Sequence, residues 1–146
     1  MHRTLALLAL PLVIVAVVAC STTGSGSGSS PSVAAPAVEL PGTSWVVTSV
    51  NGEFVDATNP PTIAFGADGT VSGTTGCNQY NGSYEVDGST ITVGALQMTL
   101  MLCEGPVGDT EALFGPALQG ATAWAVDAGG NLTLSGAGDI LAKPAG

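Results

Sequence analysis

From residue 44 onward, turn-forming pairs punctuate the chain about every eight to twelve residues, with short β-prone runs between them. Strands this short bury an apolar face only by packing together. The spacing therefore predicts a small, mainly β domain, an antiparallel sandwich or barrel. The first run, residues 45–50, is rich in Val and ends at Asn51-Gly52, a pair suited to a tight hairpin whose two central residues need positive φ. Residues 62–65 and 70–74 flank Asp68-Gly69. Residues 83–87 alternate, with Tyr84 and Val86 on one face and Ser83, Glu85 and Asp87 on the other. Asp87-Gly88 then turns the chain into residues 90–93, where Ile91 and Val93 point inward. Leu96, Met98, Leu100 and Leu102 occupy alternate positions and read as a continuing strand. Residues 122–126 and 132–135 are joined through Gly129-Gly130, and residues 140–143 close the sheet. Trp45, Phe65, Phe114 and Trp124 are expected in the core.

One segment breaks the twofold period. Residues 109–119 group Leu113, Phe114, Ala117 and Leu118 on one helical face, with Asp109 placed to cap the start and Glu111 in the first turn. A single short helix is predicted there. Pro116 removes a backbone donor and crowds the preceding turn, so a kink or split is expected at that point.

The N-terminus carries a different signal. His2 and Arg3 precede an uncharged apolar stretch over residues 5–19, which is short of the ~20 residues a spanning helix needs and is interrupted by Pro11. Residues 1–19 are read as an export signal. Val17-Val18-Ala19-Cys20 resembles the lipobox of bacterial prolipoproteins, in which the Cys thiol receives a diacylglycerol and becomes the first residue of the mature chain. Two or three acyl chains hold a protein to a bilayer where one binds marginally. Residues 20–41 are mostly Ser, Thr, Gly, Pro and Ala with Glu39 as the only charge, the composition of a flexible tether. Residues 42–146 then form one folded domain.

Charge narrows the choice of partner. The 146-residue chain has eleven carboxylates against two basic side chains and a net charge of −9, and loss of Arg3 with the signal would leave only Lys143. Nucleic acid is excluded as a partner, because phosphate binding needs clustered Lys and Arg. The same charge repels anionic headgroups, leaving the lipid on Cys20 as the membrane attachment.

Cys77 and Cys103 remain as a pair in a compartment where thiols oxidise. A structural disulfide is expected. A redox-active pair would want close Cys-x-x-Cys spacing or a basic neighbour to depress the thiol pKa, and neither is present locally.

Catalytic machinery is scarce. The only His is His2, which leaves with the signal, so Ser-His, Cys-His and imidazole-metal schemes are closed, and no cofactor or metal is expected. Carboxylate chemistry survives as an alternative: Glu85 with Asp87, or Glu104, Asp109 and Glu111, could serve a hydrolase acting on envelope polymers. Their positions on turns and an outer face favour solvation instead. Asn78, Tyr80, Asn81 and Tyr84, close to Gly73, Gly76 and Gly82, are candidates for a binding surface or for turn-satisfying groups.

The run Phe65-x-x-Asp68-Gly69-Thr70-Val71-Ser72-Gly73-x-x-Gly76-Cys77-Asn78-x-Tyr80-x-Gly82-x-Tyr84, followed by Thr99-x-Met101-x-Cys103, resembles the META domain family, an HslJ-like group of bacterial lipoproteins. Trp45, Asn51-Gly52, Glu111, Phe114, Leu118 and Leu132-x-Leu134 extend the resemblance over about a hundred residues. It implies an antiparallel cracked barrel or pseudobarrel with one short helix. It brings no established reaction and an association with envelope stress. A barrel that fails to close leaves an apolar mouth. The function expected is that of a monomeric, non-catalytic lipoprotein anchored in the cell envelope, binding an envelope protein or an apolar ligand.

Overall fold

The structure is a computed structural model that describes residues 38–146. Cys20, the signal and most of the tether lie outside the described residues. The boundary drawn at Gly42 falls inside the folded unit, because Leu40 is fully buried and the Thr43 hydroxyl donates to its carbonyl.

The described strands are β1 (Thr43–Val50), β2 (Glu53–Phe54), β3 (Thr62–Phe65), β4 (Thr70–Thr74), β5 (Gln79–Asp87), β6 (Thr90–Val93), β7 (Gln97–Met98), β8 (Ala121–Val126), β9 (Leu132–Gly136) and β10 (Ile140–Pro144). A helix, α1 (Gly105–Gln119), lies between β7 and β8. Hydrogen-bonded neighbours run β1, β3, β4, β5, β6, β8, β9, β10, and β10 pairs again with β1. Eight antiparallel strands thus close on themselves, with β2 added to β1 and β7 to β5. Closure removes the unpaired edges that an open sheet of this size would expose. The thinnest seam joins β6 to β8 through one residue pair, Thr90 and Ala123. There the Trp124 indole donates to the Gly88 carbonyl at 2.9 Å, an added tie.

The alternation read from the sequence is what fills the interior. Trp45 and Val47, Ile63 and Phe65, Tyr80 and Tyr84, Ile91 and Val93, Leu132 and Leu134, and Ile140 and Ala142 all point inward and are buried. Each such large side chain contributes about 1.5–3 kcal/mol on leaving water. A bulge between Val47 and Ser49 lets Ser49 and Val50 both turn inward, bending β1. Asn51 (φ 53°) and Gly52 (φ 81°) make the tight turn their sequence predicts. Gly73 is required by close approach: a Cβ there would lie 2.0 Å from the Thr62 carbonyl oxygen and 3.0 Å from the Tyr80 hydroxyl.

Expectations over residues 96–119 are corrected. The alternation over residues 96–102 does not continue as a strand. Only Gln97 and Met98 pair with β5, and Leu100 and Leu102 are 94% and 89% exposed, because the chain leaves the sheet to reach Cys103 and the helix. The helix starts at Gly105, with Glu104 at its N-cap making no side-chain hydrogen bond, so Asp109 is not the cap. Pro106 occupies the first turn, where its fixed φ suits helix entry and its missing donor costs nothing. Pro116 does not split the helix into two elements. Residues 112 and 116 are both exposed, so water can satisfy the carbonyl that loses its donor, and the helix ends within one turn.

Helix α1 buries Phe114, Ala117 and Leu118 against β1, β6, β9 and β10, strands from different sides of the circuit. The Phe114 ring also packs on Tyr80 of β5, their centroids 5.6 Å apart. These contacts lay the helix across one end of the barrel. The apolar mouth expected from the sequence is covered at that end, and the interior is packed with side chains.

Candidate functional site

Helix α1, the turn between β4 and β5, and the segment 99–103 meet at the covered end. Their junction is polar. In the turn, Thr75 is fully buried; its N–H donates to the Asn78 carbonyl at 2.8 Å, and its hydroxyl oxygen accepts from the Asn78 N–H at 2.9 Å. Gly76 (φ 97°) allows the reversal, and a Cβ there would strike the Asn59 carbonyl at 2.4 Å.

Asn78 is 1% exposed, and its side chain does the work of a strand partner. Oδ1 accepts from the Met101 N–H and the Thr99 hydroxyl, both at 2.8 Å, and Nδ2 donates to the Met101 carbonyl at 3.0 Å. A side-chain amide thus pairs both backbone groups of a residue outside the sheet. Nδ2 also donates to both oxygens of Glu111, at 3.0 and 2.9 Å, and the Thr75 hydroxyl donates to Glu111 Oε2 at 2.5 Å. The carboxylate that the sequence placed in a solvated first turn sits instead on the inner side of α1, one turn before Phe114. Charge-assisted bonds of this kind are roughly twice as strong as neutral ones.

Cys77 and Cys103 are joined across this junction by a disulfide, their Cα atoms 6.3 Å apart. Cys77, Cys103 and Glu111 converge closely enough to suggest a metal cluster, but the two sulfurs are bonded to each other and offer no thiolate. The Glu111 carboxylate lies 3.7 Å from the Cys103 sulfur. A neighbouring anion opposes thiolate formation, the reverse of what a redox-active pair requires.

Asn78, Tyr80, Asn81 and Tyr84, expected as a binding surface, are not brought together on one exposed face; Tyr80 and Asn81 alone share an open hollow, with Gln79 and Gln97. Tyr80 and Tyr84 are buried, and their hydroxyls donate to the carbonyls of Thr62 and Gly66, each at 2.8 Å. Both lie on the inward face of β5, together with Gly82, so their spacing of four marks core. Of the four, only Asn81 is exposed. Sequence reasoning missed Thr75 and Thr99. The position of Glu111, three and seven residues before Phe114 and Leu118 on the apolar face, was the available signal that it turns inward.

What the junction does present is apolar. Leu100, Met101 and Leu102 are 94%, 58% and 89% exposed, consecutive and held outward by the Asn78 network and the disulfide. Between them and the helix runs an open groove of about 440 Å³, lined by Met98, Met101, Leu102, Ala112, Gly115 and Pro116, with Glu111 at its base. That volume lies in the range of sites that take side chains or small ligands. Met lining makes the walls adaptable. Phe54, on the hairpin beside β1, is a further exposed apolar residue away from this run.

The displaced carboxyl pKa values lie elsewhere. Asp68 is lowered by hydrogen bonds from Thr70, and Asp127 by hydrogen bonds from Asn131, both within turns. Neither moves toward the range of a general acid. Among the described residues no helix is long and apolar enough to cross a membrane.

A closed antiparallel barrel with one helix laid over its end is shared with solved structures. The NMR structure of a protein from Burkholderia xenovorans is 24% identical, with a TM-score of 0.62 over 81% of this chain and 96% of that one. A second NMR structure is 28% identical with a TM-score of 0.59, covering 71% of this chain and 90% of that one. With residues 38–143 matching the META domain, the chain belongs to the META domain family. Its similarity extends to the heat shock protein HslJ of Escherichia coli (strain K12), 35% identical over 75 residues, which are 51% of this chain. The chain spans about half the length of that curated relative, 53% of it.

Proposed function

We propose that this protein is an exported lipoprotein, anchored through Cys20 in the cell envelope, whose barrel is a monomeric, non-catalytic binding module used under stress. The observation that carries the binding role is the exposed run Leu100-Met101-Leu102. Three consecutive apolar side chains in water are unfavourable for a lone domain, and here a buried network and a disulfide hold them outward. Rigid presentation of an apolar patch lowers the ordering cost of association. The stress assignment extends to this chain the name of HslJ, a heat shock protein.

The non-catalytic reading is supported by how the acidic groups are used. Glu111, the carboxylate nearest the groove, is taken up by Asn78 and Thr75, and the last imidazole before the domain is His2. Anchoring is tested by palmitate labelling and membrane fractionation of the wild type and Cys20→Ala. Label and membrane retention lost in the variant is the expected result; label persisting in Cys20→Ala overturns the lipid anchor. In-cell photocrosslinking from position 102 tests the binding role, and recovery of neither a partner nor a lipid adduct overturns it.

A further inference from the structure

The two ends of the barrel differ in what they face. The described chain starts at one end, where Leu40 plugs the interior and the Gly42 N–H donates to the Phe65 carbonyl. Strand β1 then runs its eight residues, about 25 Å, to Val50 at the other end. There Val50 and Leu113 line one hollow, and a Cβ on Gly138 would lie 3.1 Å from Ala117. The described chain therefore enters the barrel at the end opposite α1 and the groove.

Charge separates the ends as well. Lys143, the only Lys or Arg among the described residues, pairs with Val46 midway along β1. Glu111 lines the groove, Glu104 caps the helix that walls it, and Asp109 with Glu53 and Asp56 lines the hollow on the helix's other flank, with no Lys or Arg among the lining residues of either. An apolar groove with an acidic surround favours an occupant with the opposite pattern.

Extending the binding reading given above, we infer that the groove between residues 99–103 and α1 takes a cationic amphipathic polypeptide segment. Its apolar face packs on Leu100, Met101 and Leu102, and its Lys and Arg side chains face the acidic surround. A bilayer fits less well, because anionic headgroups are repelled by the acidic chain. A second copy would bring the same acidic surround against itself.

The probe is a helical Leu/Lys peptide of about four turns, with apolar and basic residues on opposite faces. A Leu/Glu peptide and a scrambled Leu/Lys peptide serve as controls. The protein is the full chain as the cell makes it, in zwitterionic nanodiscs if lipid-bearing and free in solution if not. The expected result is binding of the amphipathic Leu/Lys peptide that weakens about tenfold both in Leu100→Ser/Leu102→Ser and on raising salt from ~50 to ~500 mM. Both substituted residues are exposed, so an unchanged melting temperature confirms folding of the variant. Equal binding by the scrambled or Leu/Glu peptide overturns the proposal, as does full binding by the double variant. Loss in that variant of vesicle binding or self-association, with peptide binding intact, assigns the surface to a bilayer or a second copy and also overturns it. Peptide binding by a chain that carries no lipid would leave this inference standing and remove the anchored reading alone.

Discussion

The Asn78 side-chain amide donates to both oxygens of the Glu111 carboxylate, joining the β4–β5 turn to a helix 33 residues away. The same amide holds Met101, so one buried side chain sets the relation of turn, helix and exposed loop. Asn78→Asp would set two carboxylates against each other and is expected to cost about 3 kcal/mol or more at neutral pH. Urea unfolding at pH 7 checks this; a wild-type midpoint would remove Asn78 from this role.

The disulfide closes a loop with a sequence separation of 26 residues. The chain-entropy relation assigns such a closure about 3.5 kcal/mol. Cys77→Ala/Cys103→Ala should lose stability of that order, and residues 99–103 should gain hydrogen-exchange rate before the barrel strands do. Exchange mass spectrometry on wild type and variant reads both effects. Uniform acceleration across every strand would mean that the bridge holds the whole barrel and not the loop.

Tyr80 and Tyr84 are the only tyrosines in the sequence, and both are buried. Burial pushes the Tyr80 phenol far above its ordinary value of 10.0. Burial, and then the negative charge of Asp68, push Tyr84 the same way. Folded values above unfolded ones give stability that is complete below about pH 10 and lost as pH rises through the folded values. The native chain should therefore develop no phenolate absorbance near pH 10, and absorbance should appear together with loss of the β circular-dichroism signal. A phenolate titrating near pH 10 in a folded chain would contradict the buried hydroxyl bonds.

Gly73 has no room for a side chain between the Thr62 carbonyl and the Tyr80 hydroxyl. Gly73→Ala should displace one of them and destabilise by about 1–3 kcal/mol, as overpacking does. The double variant Gly73→Ala/Tyr80→Phe should show less than the sum of the two single costs, because removing the hydroxyl relieves part of the clash. Thermal melts of the four proteins decide, and strict additivity would place the strain elsewhere.

Alternation made the strands legible. Ile91 and Val93, or Leu132 and Leu134, bury where a period of two puts them, and Asn51-Gly52 forms its turn because few residues tolerate that backbone. The same rule failed over residues 96–102. Alternate leucines there satisfy no core, and covalent attachment of Cys103 to Cys77 overrides their pattern. Local rules also misplaced the helix start, where Pro106 mattered more than Asp109, and they could not tell a buried Asn78 from an exposed Asn81 three residues on.

By itself the sequence determined the class of fold, the turn positions and most of the core, because strand period and turn backbone preferences act over a few residues. It also set the acidic balance of the chain, eleven carboxylates against two basic side chains. Tertiary structure alone decided that β10 returns to β1, that α1 covers the end of the barrel, and that Glu111 turns inward to Thr75 and Asn78. It also decided that Leu100, Met101 and Leu102 are left in water. Each of these depends on groups far apart in the chain, whose pairing is settled by the packing of the whole barrel and not by any local preference.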